Sequence, residues 1–125
     1  MLKKILPLLF VPLLMAGCAA TFTNLTPLQQ PRNADNLYPV SVMFETRQAS
    51  LRWDTIRPHI MVGDNFYGMQ PTPMMKNRWE GLVPVPAGSH LAKYRYKFEY
   101  LYNSTGTLHP DSALSEEYSL RIVDK

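Results

Sequence analysis

Leu91-Ala92-Lys93-Tyr94-Arg95-Tyr96-Lys97-Phe98-Glu99-Tyr100-Leu101-Tyr102 alternates, position by position, between two kinds of side chain. Tyr94, Tyr96, Phe98, Tyr100 and Tyr102 share one face at a period of two, and Lys93, Arg95, Lys97, Glu99 and Leu101 share the other. A helix would spread both sets around its circumference, whereas an extended strand sorts them into an aromatic and a mostly charged face. The stretch predicts a β-strand whose aromatic face turns to a core.

Working outward, Pro86-Ala87-Gly88-Ser89 predicts a turn, preceded by strand character from Met74 or Arg78 to about Val85. On the other side, Asn103, Gly106, Pro110 and Asp111 punctuate a polar stretch read as loop, and Tyr118, Leu120 and Ile122 then alternate with Ser119 and Arg121 in a last strand to Val123. Further upstream, Tyr38, Val40, Val42 and Phe44 define a strand over 38–46. A second strand is expected at Ala49–Trp53 and a third at Ile56–Val62, where Pro58 suggests an edge because proline cannot donate to a ladder. Gly63 to Pro73 reads as a loop. About seven short strands, together with eleven prolines that disfavour long helices, predict an all-β sandwich.

The beginning of the chain has a different character. Lys3 and Lys4 precede an apolar run from Ile5 to Met15, and small residues then lead to Cys18, the order of a secretory signal. Pro7 and Pro12 interrupt the run, which is shorter than the ~20 residues a membrane-spanning helix needs. Cys18 is the only cysteine, so the domain has no internal disulfide and holds together by packing. From Cys18 to Asn36 the chain is rich in Thr, Asn, Gln and Pro without evident periodicity, and it reads as a flexible tether. The expected organisation is a signal peptide over 1–17, a tether over 18–36 and a sandwich over 37–125.

Leu14-Met15-Ala16-Gly17-Cys18 resembles the lipobox of bacterial lipoproteins, in which the cysteine after the cleavage site is acylated with fatty acids such as palmitate. In that family an aspartate after the cysteine commonly retains the protein in the inner membrane. Ala19 stands there in this chain, so the resemblance implies an outer-membrane lipoprotein facing the periplasm or the cell surface. Two or more acyl chains bury enough methylenes, at ~0.8 kcal/mol each, to make such anchoring stable.

A second resemblance runs through Ile60-Met61-Val62-Gly63-Asp64-Asn65-Phe66-Tyr67-Gly68-Met69, Pro73-Met74, Trp79-Glu80-Gly81-Leu82-Val83-Pro84-Val85-Pro86-Ala87-Gly88 and Tyr94-Arg95-Tyr96-Lys97-Phe98. In that order, the segments resemble the early-set branch of immunoglobulin-like domains, especially the modules that accompany glycogen-active enzymes. The resemblance implies an immunoglobulin-like sandwich and a site for glycan. The tryptophan that the family pattern places near Met69 is absent, and Phe66 and Tyr67 are the aromatic residues available to stack on sugar faces.

Composition narrows the function classes. Without Lys3 and Lys4, eleven basic residues face ten acidic ones, a balance of +1, and no basic run remains to track a phosphate backbone. Nucleic acid is not an expected partner. His59, His90 and His109 fall in separate segments without metal-ligand spacing, and neither Asp54 near His59 nor Ser89 before His90 belongs to a catalytic signature, so no metal, cofactor or enzymatic activity is expected. The sequons Asn24-Leu25-Thr26 and Asn103-Ser104-Thr105 have no expected role in a bacterial envelope. The expected partners are the membrane, through lipidated Cys18, and proteins of an envelope assembly, with glycan as the alternative. Phe66, Tyr67, Tyr100 and Tyr102 are the candidate contact residues, the last two because they sit near the end of their strand, where the aromatic face is expected to be partly exposed. A protein partner is expected to dock along a sheet edge by β-augmentation or over Tyr100 and Tyr102.

Overall fold

The structure is a computed structural model that describes residues 20–46 and 51–124. The expected signal peptide and Cys18 lie outside the described residues. Ten strands form: β1 (Ala20–Asn24), β2 (Gln29–Pro31), β3 (Leu37–Thr46), β4 (Leu51–Val62), β5 (Asn65–Gly68), β6 (Gln70–Pro71), β7 (Arg78–Pro84), β8 (Leu91–Ser104), β9 (Thr107–Leu114) and β10 (Tyr118–Val123). No helix occurs among the described residues. One sheet has the order β1-β3-β7-β6; the other runs β2-β10-β8-β4-β5, with β9 also paired to β8.

The alternating strands behave as their patterns dictate. Tyr38, Val40, Val42 and Phe44 of β3 are buried, as are Tyr94, Tyr96, Phe98 and Tyr100 of β8 and Leu120 and Ile122 of β10. They meet in one core with Trp79 and Val83 of β7. Gly81, between those two, leaves room that Ile60 and Met69 fill. A Cβ there would stand 2.9 Å from Ile60 Cδ1, so the close approach of β4 to β7 depends on a residue without a side chain.

Four expectations need correction. The segment read as a tether is folded from Ala20 onward: β1 pairs antiparallel with β3, then the chain crosses to the other sheet, where β2 pairs parallel with β10. Phe22 provides the reason, since its ring packs 5.1 Å from Phe44 and 5.2 Å from Phe98. The two strands expected at 49–53 and 56–62 are one, β4, with a register shift between Arg52 and Arg57. There the Thr55 hydroxyl replaces the ladder, donating to the Arg52 carbonyl at 2.6 Å and accepting from the Leu101 amide at 2.9 Å. Pro58 lies at the step where β4 gains its second neighbour, because β5 pairs only with His59–Val62.

The expected loop at 63–73 contains β5 and β6. Gly63, with φ +62, opens a two-residue turn that sets Asn65 opposite Val62. The polar stretch after Asn103 is likewise a strand, β9, entered through a turn in which Thr105 and Gly106 both have positive φ. β9 lies at an edge of the sheet, where Pro110 leaves no central ladder bond unmade.

Candidate functional site

The four candidate contact residues do not form one patch. Tyr100 is in the core, 6% exposed, with its ring 6.0 Å from Phe44, which corrects the expectation that it is partly exposed. Burial raises its phenol pKa above the ordinary value, with the Asp111 carboxylate adding to the effect. The strand extends to Ser104, so Tyr100 lies further inside it than the sequence pattern suggested. Tyr102 is half-buried and stacks on His109 at 5.5 Å.

Phe66 and Tyr67 sit on β5, on opposite faces of that short strand. Tyr67, across from Ile60, packs against the core, whereas the Phe66 ring is 52% exposed. Phe66 has polar company: the Lys97 ammonium stands 5.8 Å from its ring centroid and the His59 ring meets it edge-on at 6.0 Å.

Phe66 and Tyr67 form one rim of a trough of about 1310 Å³ over the outer face of the four-stranded sheet. Its floor is built from three cross-strand pairs of β3 and β7: Leu37 with Pro84, Pro39 with Leu82, and Ser41 with Glu80. The opposite rim is Gln29–Pro31 of β2. Period two puts these residues on the face away from the core, yet Leu37 and Leu82 are large, apolar and exposed. That break in the polar-outside pattern is the signal in the sequence that marks the face, and sequence reasoning missed it. Gln30 Nε2 donates to the Pro39 carbonyl at 2.8 Å, tying the rim to the floor where β3 has no strand neighbour on that side.

Two of the sheet edges, β6 and β9, are poor templates for an added strand. β6 has two residues, one of them Pro71, and β9 carries Pro110. Short, proline-bearing edges resist strand addition. Glu80 is the one ionisable carboxylate in the trough lining, and Thr72 Oγ1 donates to it at 3.2 Å.

The histidines are engaged separately: His59 with Phe66, His90 with Asp124 at 3.1 Å, and His109 with Thr107 at 3.0 Å and the Tyr102 ring. Among the described residues no three His, Cys, Asp or Glu side chains gather where a metal ion could sit. No helix among the described residues is long and apolar enough to cross a membrane. No protein-family model, no curated protein and no solved structure matches this chain.

Proposed function

We propose that this chain is a lipid-anchored, noncatalytic module of the bacterial envelope that offers the outer face of its four-stranded sheet to a protein partner. The observation that carries the reading is the trough floor, where Leu82, 48% exposed, and Leu37 lie between proline neighbours with little charge around them. Exposed apolar surface framed by polar rims is the usual composition of a docking face. The membrane part of the reading rests on Ala16-Gly17-Cys18 and the signal before it.

We further propose an immunoglobulin-like fold of the early-set kind. The strand arrangement supports it: two mainly antiparallel sheets enclose one core built from their alternating inward faces.

The test is a photo-crosslinking residue at Leu82 in intact envelopes. A discrete cross-linked neighbour, lost when Leu37→Glu places a charge on the floor, is the expected result. A protein that migrates solely as a lone lipoprotein would count against the assembly. The glycan reading draws on Phe66, whose exposed ring stands between the His59 ring and the Lys97 ammonium. It predicts saturable binding of peptidoglycan or soluble polysaccharide, weakened by Phe66→Ala, and that result would replace the protein partner. Cys18→Ala should abolish metabolic fatty-acid labelling, and labelling that persists would refute the anchor.

A further inference from the structure

We infer that one end of the sandwich rests on the phospholipid surface, and that this contact fixes how the domain stands on its membrane. The inference builds on the proposed lipidation of Cys18. β1 begins at Ala20, two residues beyond that cysteine, opposite Thr46 at the end of β3. Two residues span at most ~7 Å of chain. Acyl chains on Cys18 therefore hold the Ala20 end of the sandwich within that distance of the headgroups, where a nineteen-residue tether would have left the domain free to turn.

The surface at this end suits the contact. Trp53, Met74, Met75 and Leu108 are among the large apolar side chains that the described residues leave exposed. All four belong to segments at the Ala20 end: the start of β4, the loop between β6 and β7, and the start of β9 beside the turn at Gly106. Met74 is 100% exposed and stands at φ +66, a backbone region that side chains other than glycine rarely adopt. In water such a residue has no compensating contact. Trp53 stacks one face on Trp79, with ring planes 6° apart, and remains 45% exposed. Trp53 and Lys76 line an open notch of about 790 Å³ next to Thr46, with the Glu45 carboxylate also at its wall, so an indole and an ammonium stand together at this end. Tryptophan at the headgroup level and a cation beside phosphates are the pairing found at membrane interfaces.

The experiment uses the full-length, processed lipoprotein in phosphatidylethanolamine–phosphatidylglycerol vesicles. Acylated Cys18 has no free thiol, so Met74→Cys and Asp64→Cys each give a single labelling site, one at the Ala20 end and one in the turn after β4. With a fluorophore attached, nitroxide lipids should quench the label at 74 several-fold more than the label at 64. Equal quenching at the two sites, in protein that floats with the vesicles, would overturn the orientation while leaving the anchor intact. Protein that fails to float and carries no fatty acid on Cys18 would refute the anchor, and the orientation with it.

Discussion

Around Phe98 and Tyr100, β8 packs its rings against carbon. Phe98 lies 4.8 Å from Phe44, 5.1 Å from Trp79 and 5.2 Å from Phe22, and Phe44 in turn contacts Trp53 and Tyr100. Around Tyr94 and Tyr96, the same strand packs against hydroxyls and amides. The Tyr96 hydroxyl donates to Asn24 Oδ1 at 2.7 Å, Asn24 Nδ2 donates to the Tyr94 hydroxyl at 2.9 Å, and Thr26 Oγ1 lies 3.4 Å from the Tyr96 oxygen. Thr26 also accepts from the Ser41 amide at 2.9 Å. The first half gains from apolar area and ring geometry, which tolerate small shifts. The second depends on complete pairing, because an unpartnered polar group in the interior costs more than a made bond contributes. One alternating pattern thus conceals two kinds of core, and the N-terminal segment supplies part of each: Phe22 to the rings, Asn24 and Thr26 to the network.

The largest effect should come from the ring half. Phe98→Ala removes the ring that Phe22, Phe44 and Trp79 share and should cost ~3–5 kcal/mol, read as a lower urea midpoint with an unchanged slope. A midpoint that hardly moves would mean that these rings are not the centre of the core. In the polar half, Asn24→Ala strips the Tyr96 hydroxyl of its shortest partner and should cost ~1–3 kcal/mol. Combined with Tyr96→Phe, the loss should fall short of the sum of the two single losses, since each change disables the same network. Full additivity in that cycle would erase the distinction between the halves.

Alkaline titration sharpens the same contrast. Burial pushes the Tyr96 phenol well above its ordinary range, outweighing the hydrogen bond from Thr26 that favours the phenolate. Above pH ~10 the unfolded chain releases this proton while the folded chain keeps it, so stability falls as pH rises. Tyr96→Phe should flatten that fall, with the phenols of buried Tyr100 and partly buried Tyr118, raised chiefly by the same desolvation, accounting for what is left. An unchanged slope would argue that the phenol is hydrated.

The smallest effect is expected outside the core. Hydrogen bonds from Arg32 and His90 hold the Asp124 carboxyl below its usual value, in a clamp at the surface that joins the chain just after β2 to the end of β10. Its contribution is present above the ordinary carboxylate range and disappears as pH falls through the depressed pKa. Asp124→Asn should lower the melting temperature slightly at neutral pH and not at all in strong acid, with the neutral-pH difference shrinking in salt because the charges are screened.

How much of this could be read from the residues depends on how each strand is stabilised. β3, β8 and β10 bury large apolar side chains at every second position, and their bounds follow from that period almost to the residue. β1 alternates too, as Ala20, Phe22 and Asn24 against Thr21 and Thr23, but one of its inward positions is an asparagine whose partners, Tyr94 and Tyr96, are seventy or more residues away. A network residue looks like a loop residue until its partner is in place. β9 is held by its pairing to β8 and by the turn at Thr105-Gly106 rather than by burial, so its sequence carries little strand signal. Of the four candidate contact residues, Phe66 is exposed, Tyr67 packs against the core and Tyr100 is buried where partial exposure was expected, while the apolar face at Leu37 and Leu82 went unnoticed. Its apolar character is spread over two strands, and neither shows it alone.

The placement of β1 also decides how the domain would bear load. If a partner pulls on the far end while lipid holds Cys18, tension enters the fold at Ala20 and runs along the strand axis. The bonds between β1 and β3 lie across that axis over five consecutive pairs, so the pull shears them together instead of peeling them one by one. Beyond Asn24 the chain crosses to the second sheet, and the parallel pairing of β2 with β10 carries whatever force β1 transmits. A segment that resembles slack in the sequence is placed to act as a mechanical coupling, sharing strain between both sheets before either has to open.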